Sequence, residues 1–260
     1  MRRWQGFTLI EMVISIILLS IVGLFLGEVI RQSLVLYSDT STREALVQQG
    51  RFVTERLRRE IRESVPNSVI VEGSCIEILP IINSGLYMEL ASPSAASSSI
   101  RVLPLEKTIQ AGERLVVYPT NAAELRDDIS GFNQIAEVAS DVDFSAPNDI
   151  QMVNVSLTQA TGFTTSSPAK RVYFYRQPVA FCQRNSELYR YEGYPIDRAA
   201  LTPALLDAYG VKVAENVSSV AFAIESPKLQ RNGLVKMELT FLANGEEVRF
   251  DHDALIYNTP

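Results

Sequence analysis

Hydrophobic residues are concentrated at the start of the chain, where an apolar run predicts a long helix. From Phe7 to Gly27, 21 residues contain a single charged side chain, Glu11. A helix of that length spans about 31 Å, which is enough to cross the hydrocarbon core of a membrane. Arg2 and Arg3 precede the run. The positive-inside rule therefore predicts a cytoplasmic N-terminus and places the remaining chain across the membrane.

The helical pattern continues beyond this run. Residues 28–64 contain no proline, and Leu46, Val53, Leu57 and Ile61 recur at near-helical spacing. Pro66 ends the predicted helix, because the residue before a proline is pushed out of the helical region. The apolar stripe on this outer half predicts burial against the globular part of the same chain.

After residue 65 the pattern changes to short runs that predict β-strands and turns. The predicted strands are Ser68–Val71, Ile76–Ile82, Arg114–Tyr118, Lys170–Tyr175, Pro178–Cys182 and Glu187–Tyr191, with alternating runs at 220–224, 235–241 and 248–250. Asn244-Gly245 predicts a tight hairpin, and the small, polar Ser92–Ser99 predicts a flexible connection. The expected fold is therefore α+β, with an antiparallel sheet packed on the outer half of the long helix.

Composition narrows the function classes. The chain has 260 residues, of which 47% are hydrophobic, so it has enough apolar material for a core and is not a disordered polymer. The formal net charge of −6 argues against a nucleic-acid partner. One histidine and two cysteines are too few for most zinc sites and most histidine-based catalysis. We expect neither an enzyme nor a bound cofactor.

Glu11 is the residue that an ordinary membrane anchor leaves unexplained. A carboxylate inside an apolar span costs on the order of 3 kcal/mol and requires a partner. A cleaved secretory signal would need small residues before its cut site, but the first alanine is Ala45. An uncleaved signal anchor accounts for every feature of the segment except Glu11.

The run GFTLIE at residues 6–11 matches the processing motif of type IV prepilins, and the chain resembles the type IV pilin-like family. The resemblance implies that a prepilin peptidase cuts between Gly6 and Phe7 and methylates the new Phe7 amine. It also implies that Glu11 pairs with this amine when subunits assemble into a filament. The implied divisions are a leader at 1–6, a transmembrane half-helix at 7–27, a periplasmic half-helix at 28–64 and a globular domain at 65–260.

Later segments narrow the resemblance. Residues 51–69 resemble the helix end of large minor pilins and of pseudopilin J. The segments around the two cysteines and at the C-terminus are similar to minor pilins of the mannose-sensitive haemagglutinin (MSHA) type IV pilus. The implied partners are other minor pilins, the major pilin, prepilin peptidase and the inner-membrane assembly platform. The implied location is the inner membrane by a single span, and then the pilus.

Two other function classes stay open. A minor pseudopilin of a type II secretion system would use the same membrane chemistry. A signal-anchored periplasmic adhesin or enzyme would leave the spacing between Gly6 and Glu11 unexplained.

Cys75 and Cys182 allow two interpretations. Outside the inner membrane the compartment is oxidising, and an even count fits one disulfide closing a loop of about a hundred residues. Alternatively, both are separate buried thiols that behave as small hydrophobic side chains. The resemblance of the flanking segments to MSHA minor pilins favours pairing.

Three further clusters have a functional and a structural interpretation. The five aspartates of segment 121–149 are Asp127, Asp128, Asp141, Asp143 and Asp149. They could hold calcium, but the EF-hand spacing is missing, so a solvated loop is favoured.

The clustered tyrosines are Tyr173, Tyr175, Tyr189, Tyr191 and Tyr194. They could form a binding platform, but a hairpin with half of them in the core is favoured. The arginines between 51 and 62 are interspersed with glutamates, which predicts a solvated helix face.

His252 lies between two aspartates. No serine or cysteine nucleophile occurs in a recognisable motif, so a catalytic role for His252 is not favoured.

Overall fold

The computed structural model describes residues 8–106, 108–129, 134–143, 152–198, 200–225 and 233–256. The described chain contains a long helix, α1 (Leu9–Arg62), and a short one, α2 (Pro203–Leu206). The strands are β1 (Ile70–Glu72), β2 (Cys75–Ile78), β3 (Asn83–Tyr87), β4 (Ser97–Pro104), β5 (Thr108–Ile109), β6 (Arg114–Val117), β7 (Ile135–Glu137), β8 (Val142–Asp143), β9 (Val153–Thr161), β10 (Arg171–Tyr175), β11 (Val179–Arg184), β12 (Glu187–Glu192), β13 (Gly210–Ala214), β14 (Val217–Glu225), β15 (Leu234–Ala243) and β16 (Glu246–Leu255).

Helix α1 confirms the long helix predicted from the sequence. It contains 54 residues, which corresponds to a length of about 81 Å. Its N-terminus is capped by the Thr8 hydroxyl, which accepts a hydrogen bond from the Glu11 N–H, and Arg59 and Arg62 occupy its last turn. Basic residues at this end interact favourably with the helix dipole.

The strands form three antiparallel sheets and one two-stranded ribbon among the described residues. The five-stranded sheet has the order β1-β2-β11-β12-β13, and the three-stranded sheet has the order β14-β15-β16. The six-stranded sheet has the order β7-β6-β10-β3-β4-β9, and β5 pairs with β8. The prediction of an α+β fold with an antiparallel sheet on the long helix is confirmed, but more than one sheet is present.

One face of the outer half of α1 packs against the five-stranded and three-stranded sheets. Its buried residues are Leu46, Gly50, Val53, Thr54, Leu57 and Ile61. They pack in one cluster with side chains such as Phe181 of β11 and Phe241 of β15. The apolar stripe predicted from residues 46–61 is therefore the face that joins the helix to the globular part.

The six-stranded sheet curls around a core of its own. Val138 and Leu157 form an isolated antiparallel bridge, and the Ala139 N–H donates to the Ser156 carbonyl at 2.8 Å. These contacts bring the two edges of the sheet together around buried side chains that include Val102, Val155 and Phe174. The sheet therefore has an apolar interior that does not depend on α1.

The predicted strand Ile76–Ile82 is wrong in its second half. β2 ends at Ile78, and the next residues pass beside the end of α1, where the Val65 N–H donates to the Leu79 carbonyl at 2.8 Å. Pro80 has no N–H to donate to a continuing ladder. The chain therefore leaves the five-stranded sheet here and enters the six-stranded sheet at β3.

The predicted connection Ser92–Ser99 is present over residues 92–96, which are exposed, and is wrong in its second half. Pro93–Ala95 form a 3₁₀ turn, and β4 begins at Ser97. The Ser97 hydroxyl accepts a hydrogen bond from the Ser99 N–H at 3.2 Å, and β4 pairs with β9. The pairing of β4 with β9 is irregular where the strand begins, with a register shift between Ser97 and Ser99.

The Asn244-Gly245 hairpin is confirmed. Both residues have positive φ, 51° and 86°, and they join β15 to β16, which pair along their full length. A two-residue turn of this kind matches the twist of the flanking strands.

Candidate processing and assembly site

The first turn of α1 fixes the position of Glu11. Thr8 has an extended backbone, and its side-chain oxygen lies 3.4 Å from the Glu11 nitrogen. Glu11 is solvent-exposed in the described chain. Gly6 and Phe7 lie outside the described residues, so the predicted cleavage and methylation positions remain predictions. The turn places Glu11 at the N-terminal end of α1.

The membrane half of α1 is apolar and uncovered. Its most hydrophobic 18-residue window has a mean hydropathy of 2.7, and none of that window is buried by the rest of the chain. The hydroxyls of Ser15 and Ser20 donate to the carbonyls four residues earlier, at 2.7 and 2.8 Å. These bonds satisfy the two hydroxyls within the helix itself, as surroundings of lipid would require. The segment is long and apolar enough to span a membrane.

A polar cluster marks the end of the apolar half. The Arg31 guanidinium donates to the Glu28 carboxylate at 2.7 Å, and the Gln32 amide donates to the same group at 3.0 Å. The hydrogen bonds from Arg31 and then Gln32 lower the pKa of Glu28. Glu28 is therefore ionised at neutral pH and ends the uncharged stretch at the predicted boundary between residues 27 and 28.

The outer half of α1 is held against β16. A Cβ on Gly50 would lie 2.0 Å from the Phe250 ring, so only glycine allows this approach. About two helical turns before Gly50, Arg43 forms an ion pair with Glu246 at 3.3 Å. These contacts fix the globular part against the outer half of α1.

Cys75 and Cys182 are joined by a disulfide bond in the structure. They are directly opposite each other on β2 and β11, with their Cα atoms 4.1 Å apart, and both are buried. Tyr191, Tyr194 and Leu201 pack over them. The bond joins two strands that already pair, far from the processing segment, so its role is structural.

A buried ionic network was missed by sequence reasoning. The Glu77 carboxylate is 1% exposed and accepts hydrogen bonds from Arg126 at 2.6 Å, Arg198 at 2.6 Å and the Tyr194 hydroxyl at 2.7 Å. Burial lowers the pKa of Arg126, and the charge of Glu77 opposes that shift. Burial, and then the charge of Glu77, raises the pKa of Tyr194. Glu77 thus joins three distant segments, and no local pattern could have revealed it.

The tyrosine platform is wrong, and the hairpin interpretation is confirmed only in part, because Tyr189 and Tyr191 lie on the β11–β12 hairpin whereas Tyr173 and Tyr175 lie on β10 of another sheet. Tyr173, Tyr175, Tyr191 and Tyr194 are buried, and the Tyr175 hydroxyl donates to the Leu125 carbonyl at 2.8 Å. Tyr189 is partly buried, and its hydroxyl donates to Glu187 at 2.6 Å. These rings form core and sheet contacts.

The aspartates of segment 121–149 do not converge in the described part of the chain. Asp141 accepts a hydrogen bond from the Ala111 N–H at 2.7 Å, and Asp127 caps a 3₁₀ turn. Asp149 lies outside the described residues, as does the side chain of Asp143. Within the described residues, no group of three His, Cys, Asp or Glu side chains is placed to hold a metal ion.

His252 is an exposed residue of β16 whose ring stacks on Phe250 with a centroid distance of 6.3 Å. This contact gives the sole histidine a packing role beside α1.

Comparison with known proteins gives one match, at the N-terminus. Residues 1–27 match the prokaryotic N-terminal methylation motif. Neither the curated proteins nor the solved structures gave a match. The match covers the positions of Gly6, Phe7 and Glu11 together with the apolar half of α1. The chain therefore carries the N-terminal motif of type IV pilin-like proteins, which indicates a substrate of prepilin peptidase that associates with a membrane.

Proposed function

We propose that this protein is a minor pilin of an MSHA-type type IV pilus, similar to the minor pilin MshO. The observation that carries the proposal is the methylation motif joined to an uncovered apolar half-helix with Glu11 in its first turn. In this proposal residues 1–6 are the leader, 7–27 span the inner membrane, 28–64 form the periplasmic half-helix and 65–260 form one globular domain. The processed chain primes pilus assembly and joins a tip complex with other minor pilins.

Processing changes the charge at the start of the helix. Cleavage after Gly6 exposes the Phe7 amine and removes Arg2 and Arg3, which makes the formal net charge of −6 two units more negative. In a low-dielectric filament interior, Glu11 is strongly unfavourable alone and is stabilised by an amine at close range. Glu11 therefore acts as a registry device that admits a subunit only where an amine is available.

The cleavage site is tested by replacing Gly6. We expect Gly6→Leu to leave the leader attached, because a bulky side chain occupies the position next to the scissile bond. The matched control is Gly23→Leu, since nothing lies within 4 Å of Gly23. Mass spectrometry of the purified chains measures the leader directly. Normal processing of Gly6→Leu would refute the prepilin assignment.

The second candidate is a J-like minor pseudopilin of a type II secretion system. It is favoured by the segment 51–69, which resembles the helix end of pseudopilin J. Deletion of the gene distinguishes the two proposals. A minor pilin is needed for surface pili and leaves protein secretion intact, whereas loss of exoprotein secretion with normal pili would favour the pseudopilin.

A further inference from the structure

The connection between β12 and β13 is much longer than the two strands require. Tyr191 of β12 pairs with Gly210 of β13, so the strands are antiparallel neighbours whose adjoining ends lie side by side. Hairpin connections usually have about two to five residues, whereas this one runs from the end of β12 at Glu192 to Gly210. Long connections with little regular structure are usually functional or disordered. We call the described residues of this connection, 193–198 and 200–209, the lid.

The disulfide lies on the face of the five-stranded sheet that points away from α1. Ile76 and Phe181, the neighbours of Cys75 and Cys182 along β2 and β11, pack in the cluster that contains the buried face of α1. Because successive side chains of a strand point to opposite faces, the two cysteines point the other way. They are only 1% and 0% exposed, so something other than α1 covers them.

The lid covers the disulfide on this face. The cluster that contains the two cysteines includes three lid side chains, Tyr194, Leu201 and Leu206, all of them buried. The other described members of this cluster belong to the five-stranded sheet itself. The Leu201 N–H donates to the Glu72 carboxylate at 3.1 Å, which holds this part of the lid to β1. Movement of the lid therefore opens a path from solvent to the sulfur atoms.

A buried carboxylate outside the lid holds it closed. Glu77 of β2 accepts hydrogen bonds from the Tyr194 hydroxyl at 2.7 Å and from the Arg198 guanidinium at 2.6 Å. The other oxygen of Glu77 accepts a hydrogen bond at 2.6 Å from Arg126, which is not part of the lid. Glu77 therefore keeps a charged partner when the lid moves away, and opening does not leave an isolated buried carboxylate.

The closed lid also has an unfavourable feature that opening removes. The Nη2 atom of Arg198 is buried and has no hydrogen-bond partner among the described residues. A buried donor without a partner costs free energy, and the same donor binds water once it is exposed. Segments held by few contacts open locally at a lower free energy than the whole fold. Moving the lid therefore costs less than unfolding the sheets.

We propose that the lid controls the access of thiols to the disulfide between Cys75 and Cys182. The lid opens while the sheets stay folded, and a dithiol then reduces the bond. One thiolate of the dithiol attacks a cysteine sulfur, the S–S bond breaks, and the released cysteine thiolate takes up a proton. The second thiol of the dithiol loses its proton and displaces the other cysteine, so the dithiol becomes a cyclic disulfide and both cysteines become thiols. This inference does not depend on the proposed function.

The rate of reduction by dithiothreitol tests the proposal on the full-length chain in detergent micelles. Labelling with a maleimide followed by mass spectrometry counts the free thiols over time. In the wild type we expect a rate that hardly changes with urea well below the unfolding midpoint, because opening the lid exposes little surface. Reduction that requires global unfolding would instead rise with urea along the full slope of the unfolding free energy.

Two lid variants and a matched control locate the opening. Leu201→Ala removes a buried lid side chain, and Arg198→Ala removes a hydrogen bond to Glu77. We expect each to raise the rate of reduction at least about tenfold without urea. Leu57→Ala truncates an equally buried leucine on α1, so it lowers global stability but should leave this rate within about twofold of wild type. Circular dichroism checks that each variant is folded.

Three results would overturn the proposal. They are a wild-type rate that follows the slope of global unfolding, an acceleration by Leu57→Ala equal to that by Leu201→Ala, and a wild-type rate in both lid variants. The first two would show that thiols reach the disulfide only through the unfolded chain. The urea dependence of the wild type needs no substitution, so it decides the question even where a lid variant fails to fold.

Discussion

In the proposed pilus assembly, Glu11 is the residue whose environment would change most between the free chain and the filament. In the free chain its carboxylate lies in the first turn of α1, and its backbone N–H is bonded to the Thr8 hydroxyl. Burial among apolar helices would leave that carboxylate without a partner unless the Phe7 amine of a subunit reaches it. In this proposal, the cost of an unpaired charge selects the assembled register.

Replacing Glu11 separates membrane insertion from assembly. We expect Glu11→Ala to insert and to lose its leader normally, but to be reduced at least tenfold in sheared surface pili, because the registry contact is gone. Glu28→Ala is the matched control, since Glu28 pairs with Arg31 outside the apolar span. Quantitative immunoblotting of membrane and pilus fractions measures both steps. Wild-type incorporation of Glu11→Ala would refute the registry role.

Glu77 carries the buried network of the globular part. Glu77→Gln removes the charge that compensates Arg126 and Arg198, so we expect the free energy of unfolding to fall by about 3–5 kcal/mol. Glu89→Gln, at an exposed position after β3, should change it by less than about 0.5 kcal/mol. Urea unfolding followed by circular dichroism gives both values. Equal effects of the two substitutions would contradict this account of Glu77.

Glu113 gives the fold a dependence on pH. It is 2% exposed, one of its carboxylate oxygens has no hydrogen-bond partner among the described residues, and burial raises its pKa. The folded state then binds its proton more tightly than the unfolded state, so this residue lowers stability as pH rises from its ordinary pKa through the raised one.

The matching substitution removes that dependence. We expect Glu113→Gln to gain stability relative to wild type as pH rises from about 4 to 7, because glutamine has no charge to bury. Thermal unfolding at a series of pH values measures the difference. A difference that is constant with pH, or that has the opposite slope, would show that Glu113 does not titrate in this way.

At the scale of elements, α1 and the sheets depend on a few apolar contacts. Leu57 is fully buried between them, so Leu57→Ala should lower the free energy of unfolding by about 2–5 kcal/mol. Leu242→Ala, at a position of β15 that is 47% exposed, should cost less than about 1 kcal/mol. Thermal unfolding of the detergent-solubilised chains measures both. Similar losses would mean that the outer half of α1 does not anchor the globular part.

Elements with strong local signals could be predicted from the sequence. The long proline-free helix and the Asn244-Gly245 hairpin depend on interactions within a few residues, and both are present. β9 and β13 were not predicted, although Val153, Val155 and Leu157 of β9 alternate with polar residues. Their positions depend on pairing with β4 and β12, which lie far away in sequence. The change of sheet after Ile78 depends on the end of α1 and was likewise invisible to local patterns.

The functional residues also divide into those that local sequence could predict and those that it could not. Glu11 and the apolar half-helix were recognisable because the motif is contiguous. The network of Glu77 joins residues more than a hundred positions apart, so no spacing rule could have found it.

At the scale of the whole molecule, the two halves of α1 lie in different environments. Its first half is uncovered and apolar, and its second half is the element on which the globular part is built. Since both halves belong to one continuous helix, a force or displacement applied at Glu11 is transmitted to the sheets without an intervening loop. This arrangement suits a subunit that is extracted from a membrane and stacked by its helix.

The N-terminus of the mature protein tests this account most directly. The chain purified from its native membrane should begin at Phe7 and carry a methylated amine, as determined by mass spectrometry of the N-terminal peptide. Retention of Met1–Gly6, or cleavage at any other bond, would contradict the assignment as a prepilin peptidase substrate and with it the proposed role in a pilus.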